Sequence, residues 1–323
     1  MQYIGKVFLL LMVLATLTFV LMFVFVVQVP PGEWVAAASE RDIRCRLAGP
    51  LSADDPRVLK ILRDDFLEPP SSLPYNFSTR IRDNVGRDDF TWPWIYGYLK
   101  DLFQDQRGGV FIEAGALDGV YLSNTLWLER NLGWTGLLVE ADAASYRALS
   151  FKRRKAWISN TCLSSTPHPT ETIMVSRRVI EKDLDDVMYW WAYRGNSHEL
   201  REDFTAKPDV QAKTEESYSV VQCFPLLSYI LALNLTTVDL LSLDIQGTEA
   251  LVLESLLNSN FSARVIVAED EQKSFDHTFM ETQGYVLLAS HLDHIYIRKG
   301  DRLLSREDVK DKIKVLNGKR GSV

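Results

Sequence analysis

The chain has 323 residues, a formal net charge of -7, 46% hydrophobic and 24% charged residues. That apolar content supports a packed core and excludes a chain disordered throughout. The acidic balance excludes broad nucleic-acid binding, which needs a basic footprint to neutralise phosphates.

The first feature in chain order is Val7 to Val27, a run without charge in which only Thr16 and Thr18 are polar. As a helix it would span about 30 Å, the depth of a bilayer's hydrocarbon core. It predicts a transmembrane signal anchor over 7–29, behind a short tail at 1–6. Cleaved signal peptides have shorter apolar cores, although Ala36-Ala37-Ala38 leaves cleavage as the alternative. Lys6 on one side and Arg41, Arg44 and Arg46 on the other do not decide the orientation. Three sequons, at Asn76, Asn234 and Asn260, favour a lumenal main domain, because only there are they glycosylation acceptors.

Residues 30–107 read as a stem and N-terminal helical region. Pro56 to Leu67 forms a short helix, stopped by Pro69-Pro70. Trp94 to Phe103 carries apolar residues at helical spacing. From Gly108 the pattern alternates short apolar strands with helices. Strands are expected at Val110–Ile112, Gly136–Val139, Ala156–Leu163, Ser219–Cys223, Val238–Leu243 and Arg264–Ala268. Helices are expected at Ser123–Arg130, Ser145–Arg153, Leu226–Leu233, Thr248–Leu257 and Ser274–Gln283. An antiparallel pair, Tyr285–Ala289 with Ile295–Arg298, closes the domain near residue 299, and a charged, solvated tail follows over 300–323. Ser176 to Glu216, with Tyr189-Trp190-Trp191 inside, reads as an insertion or lid. This rhythm predicts an α/β fold with a mostly parallel sheet covered on both faces.

The chemistry gathers at strand ends, where open parallel sheets bind ligands. Glu113, Glu140 and Asp244 each end an apolar strand. The loop Glu113-Ala114-Gly115-Ala116-Leu117-Asp118-Gly119 brings glycines that let backbone approach a ligand. Glu140 follows Gly115 by 25 residues, near the offset at which an acidic side chain meets a ribose diol. The loop is neither Gly-x-Gly-x-x-Gly nor a P-loop, so a nucleoside cofactor without phosphate fits it better. S-adenosylmethionine is such a molecule. Of the three cysteines, Cys162 and Cys223 would pair in a lumenal domain, leaving Cys45 for an intermolecular bridge in a homodimer. Three reduced thiols are the alternative. No metal-ligand spacing is present, and the five histidines form no trusted ligand or base pattern.

The blocks Phe111 to Gly119, Ser123-Asn124-Thr125, Trp134 to Glu140 and Leu241 to Glu249 resemble the FkbM-type methyltransferase family over roughly Gly108 to Lys299. The resemblance implies a Rossmann-like fold and S-adenosylmethionine-dependent O-methylation of a glycan, lipid or protein. It places Glu113, Gly115 and Asp118 around the methionine end, Gly119 among the cofactor-binding residues, Glu140 on the ribose, and Asp244 toward cofactor or substrate. Gln246 stands where family members often carry glutamate, and an amide is no base. Anchor and domain together resemble a membrane-anchored, Star-like arthropod subgroup. That resemblance implies a single-pass protein of the endoplasmic reticulum and Golgi, with endosome or plasma membrane as further stations, which moves membrane cargo such as growth-factor precursors without needing methyl transfer.

Overall fold

Eleven strands and eight α-helices are described in a computed structural model covering residues 50–77, 91–179, 197–201, 214–270 and 275–320. The chain divides into two units, Met1–Pro50 and Leu51–Val323, and all these elements belong to the second. The expected anchor, Cys45 and Tyr189-Trp190-Trp191 lie outside the described residues. Among the described residues, no helix is long and apolar enough to cross a membrane.

The principal sheet is built from β1 (Val110–Ala114), β2 (Thr135–Val139), β3 (Trp157–Ser159), β8 (Leu240–Leu243), β9 (Val265–Glu269), β10 (Tyr285–Ser290) and β11 (Asp293–Arg298). Its order is β10-β11-β9-β8-β1-β2-β3, and only β11 runs against the direction of the other six. The chain winds outward from β1 to β3, then returns to the other side of β1 for β8 and β9. The order therefore reverses between β1 and β8, the position at which such sheets bind ligands. Glycine starts this central region tightly: a Cβ on Gly136 would overlap the Phe111 carbonyl of the neighbouring strand.

Alternation along each strand divides the core. Ile112, Leu241 and Ile266 face one layer, with α1 (Pro56–Ile61), α5 (Leu226–Ala232), α6 (Glu249–Leu257) and α7 (His277–Thr282). Phe111, Leu240 and Val265 face the other, with α2 (Pro93–Phe103), α3 (Leu126–Leu132), α4 (Ala143–Lys152) and α8 (Glu307–Arg320). Helices on both faces of a parallel-rich sheet make this a mixed α/β, Rossmann-like architecture.

Three expectations are corrected by this packing. The described part of the expected stem belongs to the domain body: α1 continues into a π-helical turn at Leu62–Phe66, and Val58 and Leu62 enter the core. From there an extended strap covers the edge strand β3, with Glu68 bridged to Ile158 in both directions. The tail is not simply solvated either. Leu303 and Val309 are buried in the second layer, and Asp301 pairs with Arg264 at 2.7 Å. The expected helix at Ser123 starts three residues later, at Leu126, because Ser123 and Thr125 are bonded to Glu113.

A second sheet, in the order β4-β7-β5-β6, uses β4 (Cys162–Leu163), β5 (Thr170–Val179), β6 (His198–Glu199) and β7 (Thr214–Phe224). The expected strand at Ala156–Leu163 is thus two strands in different sheets. The long β5–β7 ribbon replaces both ends of the expected insertion. Cys162 lies opposite Cys223 in the β4–β7 pairing, and the two form a disulfide.

Candidate functional site

The parallel register sets the site. Val139 and Leu243 both pair with Ala114, and Leu243 pairs with Ala268. The next residues, Gly115, Glu140, Asp244 and Glu269, therefore emerge at one level on the sheet's carboxyl edge. Together they line a cleft of about 230 Å³. Trp92, Tyr121, Met174 and Leu292 supply aromatic and aliphatic wall. None of the five histidines lines it, nor does any Lys or Arg among the described residues.

Gly115 is held by N–H bonds from itself and Ala116 to the Val139 carbonyl, at 3.0 and 3.1 Å. Its φ is +80°, and a Cβ there would overlap the Asp244 carbonyl oxygen. Glycine thus lets the loops after β1 and β8 cross at the point where the sheet order reverses.

The carboxylates have different surroundings. Glu113 is buried and saturated: Ser123 Oγ donates at 2.8 Å, the Asn124 N–H at 2.7 Å and Thr125 Oγ1 at 2.5 Å. Burial raises its pKa; nearby Arg154 and these donors oppose the shift. Glu140 receives the Leu117 N–H at 2.7 Å and the Asp142 N–H at 2.8 Å while lining the cleft. Its pKa is pushed up to about 8, chiefly by burial, with Asp142 and Asp244 adding like-charge repulsion. Asp244 is exposed into the cleft, and the Gln246 amide donates to it at 2.9 Å and to Glu269 at 3.0 Å. Glu249 lies beneath this loop, accepting the Ile245 and Gly247 N–H groups at 2.7 and 2.9 Å. Burial pushes its pKa to about 7.

Asp118 and Gly119 do not line the cleft, contrary to the expectation that both bind the cofactor. The Asp118 carboxylate is buried beneath the loop, where Oδ1 accepts the Val120 and Tyr121 N–H groups at 2.9 and 2.8 Å. Its Oδ2 lies 3.1 Å from Lys152 Nζ, an ion pair without hydrogen-bond geometry. Gly119 packs so closely on Leu149 that a Cβ would overlap that side chain. His294 is also turned away: it is buried, and its Nε2 is 2.9 Å from Asp270.

Glu269, Met174 and Asn124 were not among the expected site residues. Glu269 carries the same signal as Glu140, an acid closing an apolar strand. Met174 carried none, because β5 follows polar sequence. Asn124 owes its place to tertiary bonds, donating from Nδ2 to Ser242 Oγ at 2.9 Å. Among the described residues, no group of three or more His, Cys, Asp or Glu side chains is placed to hold a metal ion.

The doubly covered sheet and its reversal point, with an acid-lined cleft at the carboxyl edge, define a Rossmann-like α/β class of the methyltransferase type. Residues 113–295 match the methyltransferase FkbM domain, over more than half of the chain, and the protein belongs to that family. No curated protein matches it. The family in general uses S-adenosylmethionine. The residues present fit that group: a glycine cradle, a carboxylate at the end of β2, and acidic side chains suited to a sulfonium rather than a phosphate.

Proposed function

We propose that this domain binds S-adenosylmethionine in the cleft and directs methyl transfer to an oxygen of a glycan, lipid or protein acceptor. The observation that carries this reading is the level row of Gly115, Glu140 and Asp244 around the Gly115–Asp244 crossing. When bound, the cofactor supplies a methyl group on a sulfonium, whose sulfur departs as a neutral thioether as an acceptor oxygen bonds to the methyl carbon. Glu140 has carboxyl lone pairs beyond those used by Leu117 and Asp142, and these accept the ribose hydroxyls. Asp244 and Glu269 are the groups placed to take the acceptor's proton. Gln246 cannot take it, and instead holds those two carboxylates toward the cleft.

The test is transfer of labelled methyl from S-adenosylmethionine to secretory-pathway extract by the full chain in detergent. Label above background, lost in Asp244→Asn with cofactor affinity retained, is the expected result. Equal label with wild type and Glu140→Ala would remove the reading.

A second reading is favoured by Val7 to Val27, the sequons and the Cys162–Cys223 disulfide, since structural disulfides persist in oxidising compartments. In it the protein is a single-pass membrane protein of the endoplasmic reticulum and Golgi, with the domain lumenal. Its role is Star-like escort of membrane cargo such as growth-factor precursors, with Cys45 bridging a homodimer. Cargo capture by Asp244→Asn equal to wild type, without label transfer by either, would favour escort over catalysis.

A further inference from the structure

The three sequons come from distant parts of the chain: Asn76 from the strap, Asn234 after α5 and Asn260 after α6. The fold nevertheless brings them to one end of the principal sheet. Asn234 precedes β8 and Asn260 precedes β9, so both stand at the amino ends of parallel strands. The Asn76 N–H donates to the carbonyl of Lys152, the last residue of α4, where the chain turns toward the amino end of β3. The cleft lies at the opposite, carboxyl ends. Four or five residues of strand separate the two edges, roughly 15 Å.

All three asparagines are exposed, and among the described residues none of their side-chain amides has a hydrogen-bond partner. An attached sugar would therefore displace no contact of the fold. Asn234 and Asn260 have φ values of +52° and +63°, a conformation asparagine tolerates after a helix. That accounts for asparagine at two positions. It does not account for a hydroxyl two residues later at Thr236, nor for Asn76, which has no positive φ; the Ser262 hydroxyl has a structural role as well, accepting from Arg298 at 2.9 Å.

We propose that Asn76, Asn234 and Asn260 carry N-linked oligosaccharides, forming a glycan-bearing pole that leaves the cleft pole uncovered. This rests on the lumenal placement proposed above. The donor is an oligosaccharide on a lipid pyrophosphate. The asparagine Nδ2 forms a bond to sugar C1, the C1–O bond to the pyrophosphate breaks, and one amide proton is lost to base. The lipid pyrophosphate leaves with the bonding electrons.

The experiment expresses the full chain in cells with a secretory pathway, isolates sealed microsomes, and reads gel mobility before and after enzymatic removal of N-glycans. Protease treatment of the same microsomes reads the topology. A protected domain whose mobility rises by three glycan steps is expected. Each of Ser78→Ala, Thr236→Ala and Ser262→Ala should abolish one step while keeping its asparagine, so the left-handed backbone at 234 and 260 is undisturbed. A protected domain with no mobility change would overturn the glycan proposal and leave the lumenal reading standing. A protease-accessible domain would overturn both. A step that survives its hydroxyl variant would overturn the assignment at that asparagine.

Discussion

The loops after β1 and β8 meet at the Gly115–Asp244 crossing, yet they use their charges in opposite ways. In the β1 loop the acids are spent on protein groups, Glu113 while also lining the cleft. Glu113 fixes Ser123 to Thr125, Asp118 ties Val120 and Tyr121, and beneath the loop Glu129 of α3 meets Arg154 at 3.0 Å with both side chains buried. Arg154 also reaches the Gly119 carbonyl, Ser123 and Thr125. In the β8 loop only Glu249 is spent on backbone, and Asp244 is left facing the cleft. The first loop is scaffold and the second presents chemistry, although both begin with an acid at a strand end.

The sharpest way to break that contrast is Arg154→Met. It leaves Glu129 buried without its cation, and a loss of about 3–5 kcal/mol in urea unfolding is expected. A loss under about 1 kcal/mol would mean the β1 loop is not held by this network. Gly115→Ala should cost about 3 kcal/mol in the same measurement, through left-handed strain and overlap with the Asp244 backbone. Near-neutral behaviour there would show that the two loops do not cross as described.

Titration gives a smaller effect within the β8 loop. The folded pKa of Glu249 is about 7, above its ordinary 4.5, so between those values the folded state holds a proton that the unfolded state has lost. The stability this group contributes is full below about pH 4.5 and declines as pH rises through 7. Glu140 extends the decline to about pH 8. Stability curves from pH 5 to 8 should therefore fall less steeply in Glu249→Gln than in wild type; parallel curves would contradict the burial of this group. The smallest effect on folding belongs to Asp244→Asn, within about 0.5 kcal/mol because its side chain is exposed. Its expected loss is instead in methyl transfer, by a factor on the order of 10²–10⁴ if it is the base.

The strands that carry the site were legible because each is a short apolar run closed by an acid or glycine. β2, β8 and β9 fall within two residues of their expected limits, as do α5 and α6. The level row at Gly115, Glu140 and Asp244 follows from that reading once the strands pair in register. What escaped depends on tertiary bonding. Asp118 looks like a cleft residue in a glycine-rich loop, but its carboxylate caps backbone beneath it. β5 is too polar to signal a strand, and gains its place by pairing with β7 along ten positions. Val58 and Leu62 are too sparse for core on local pattern, yet α1 packs on α5, where Arg63 reaches the Ala232 carbonyl at 2.9 Å.

Calorimetric titration of the full chain with S-adenosylmethionine, beside Glu140→Ala, tests the cleft most directly. Saturable binding in wild type, weakened at least about tenfold in a Glu140→Ala variant that still unfolds cooperatively, is the expected result, since the two hydrogen bonds from the ribose diol are worth about 0.5–1.5 kcal/mol each. A folded wild-type protein that gives no saturable heat, or a variant that binds equally well, would contradict it.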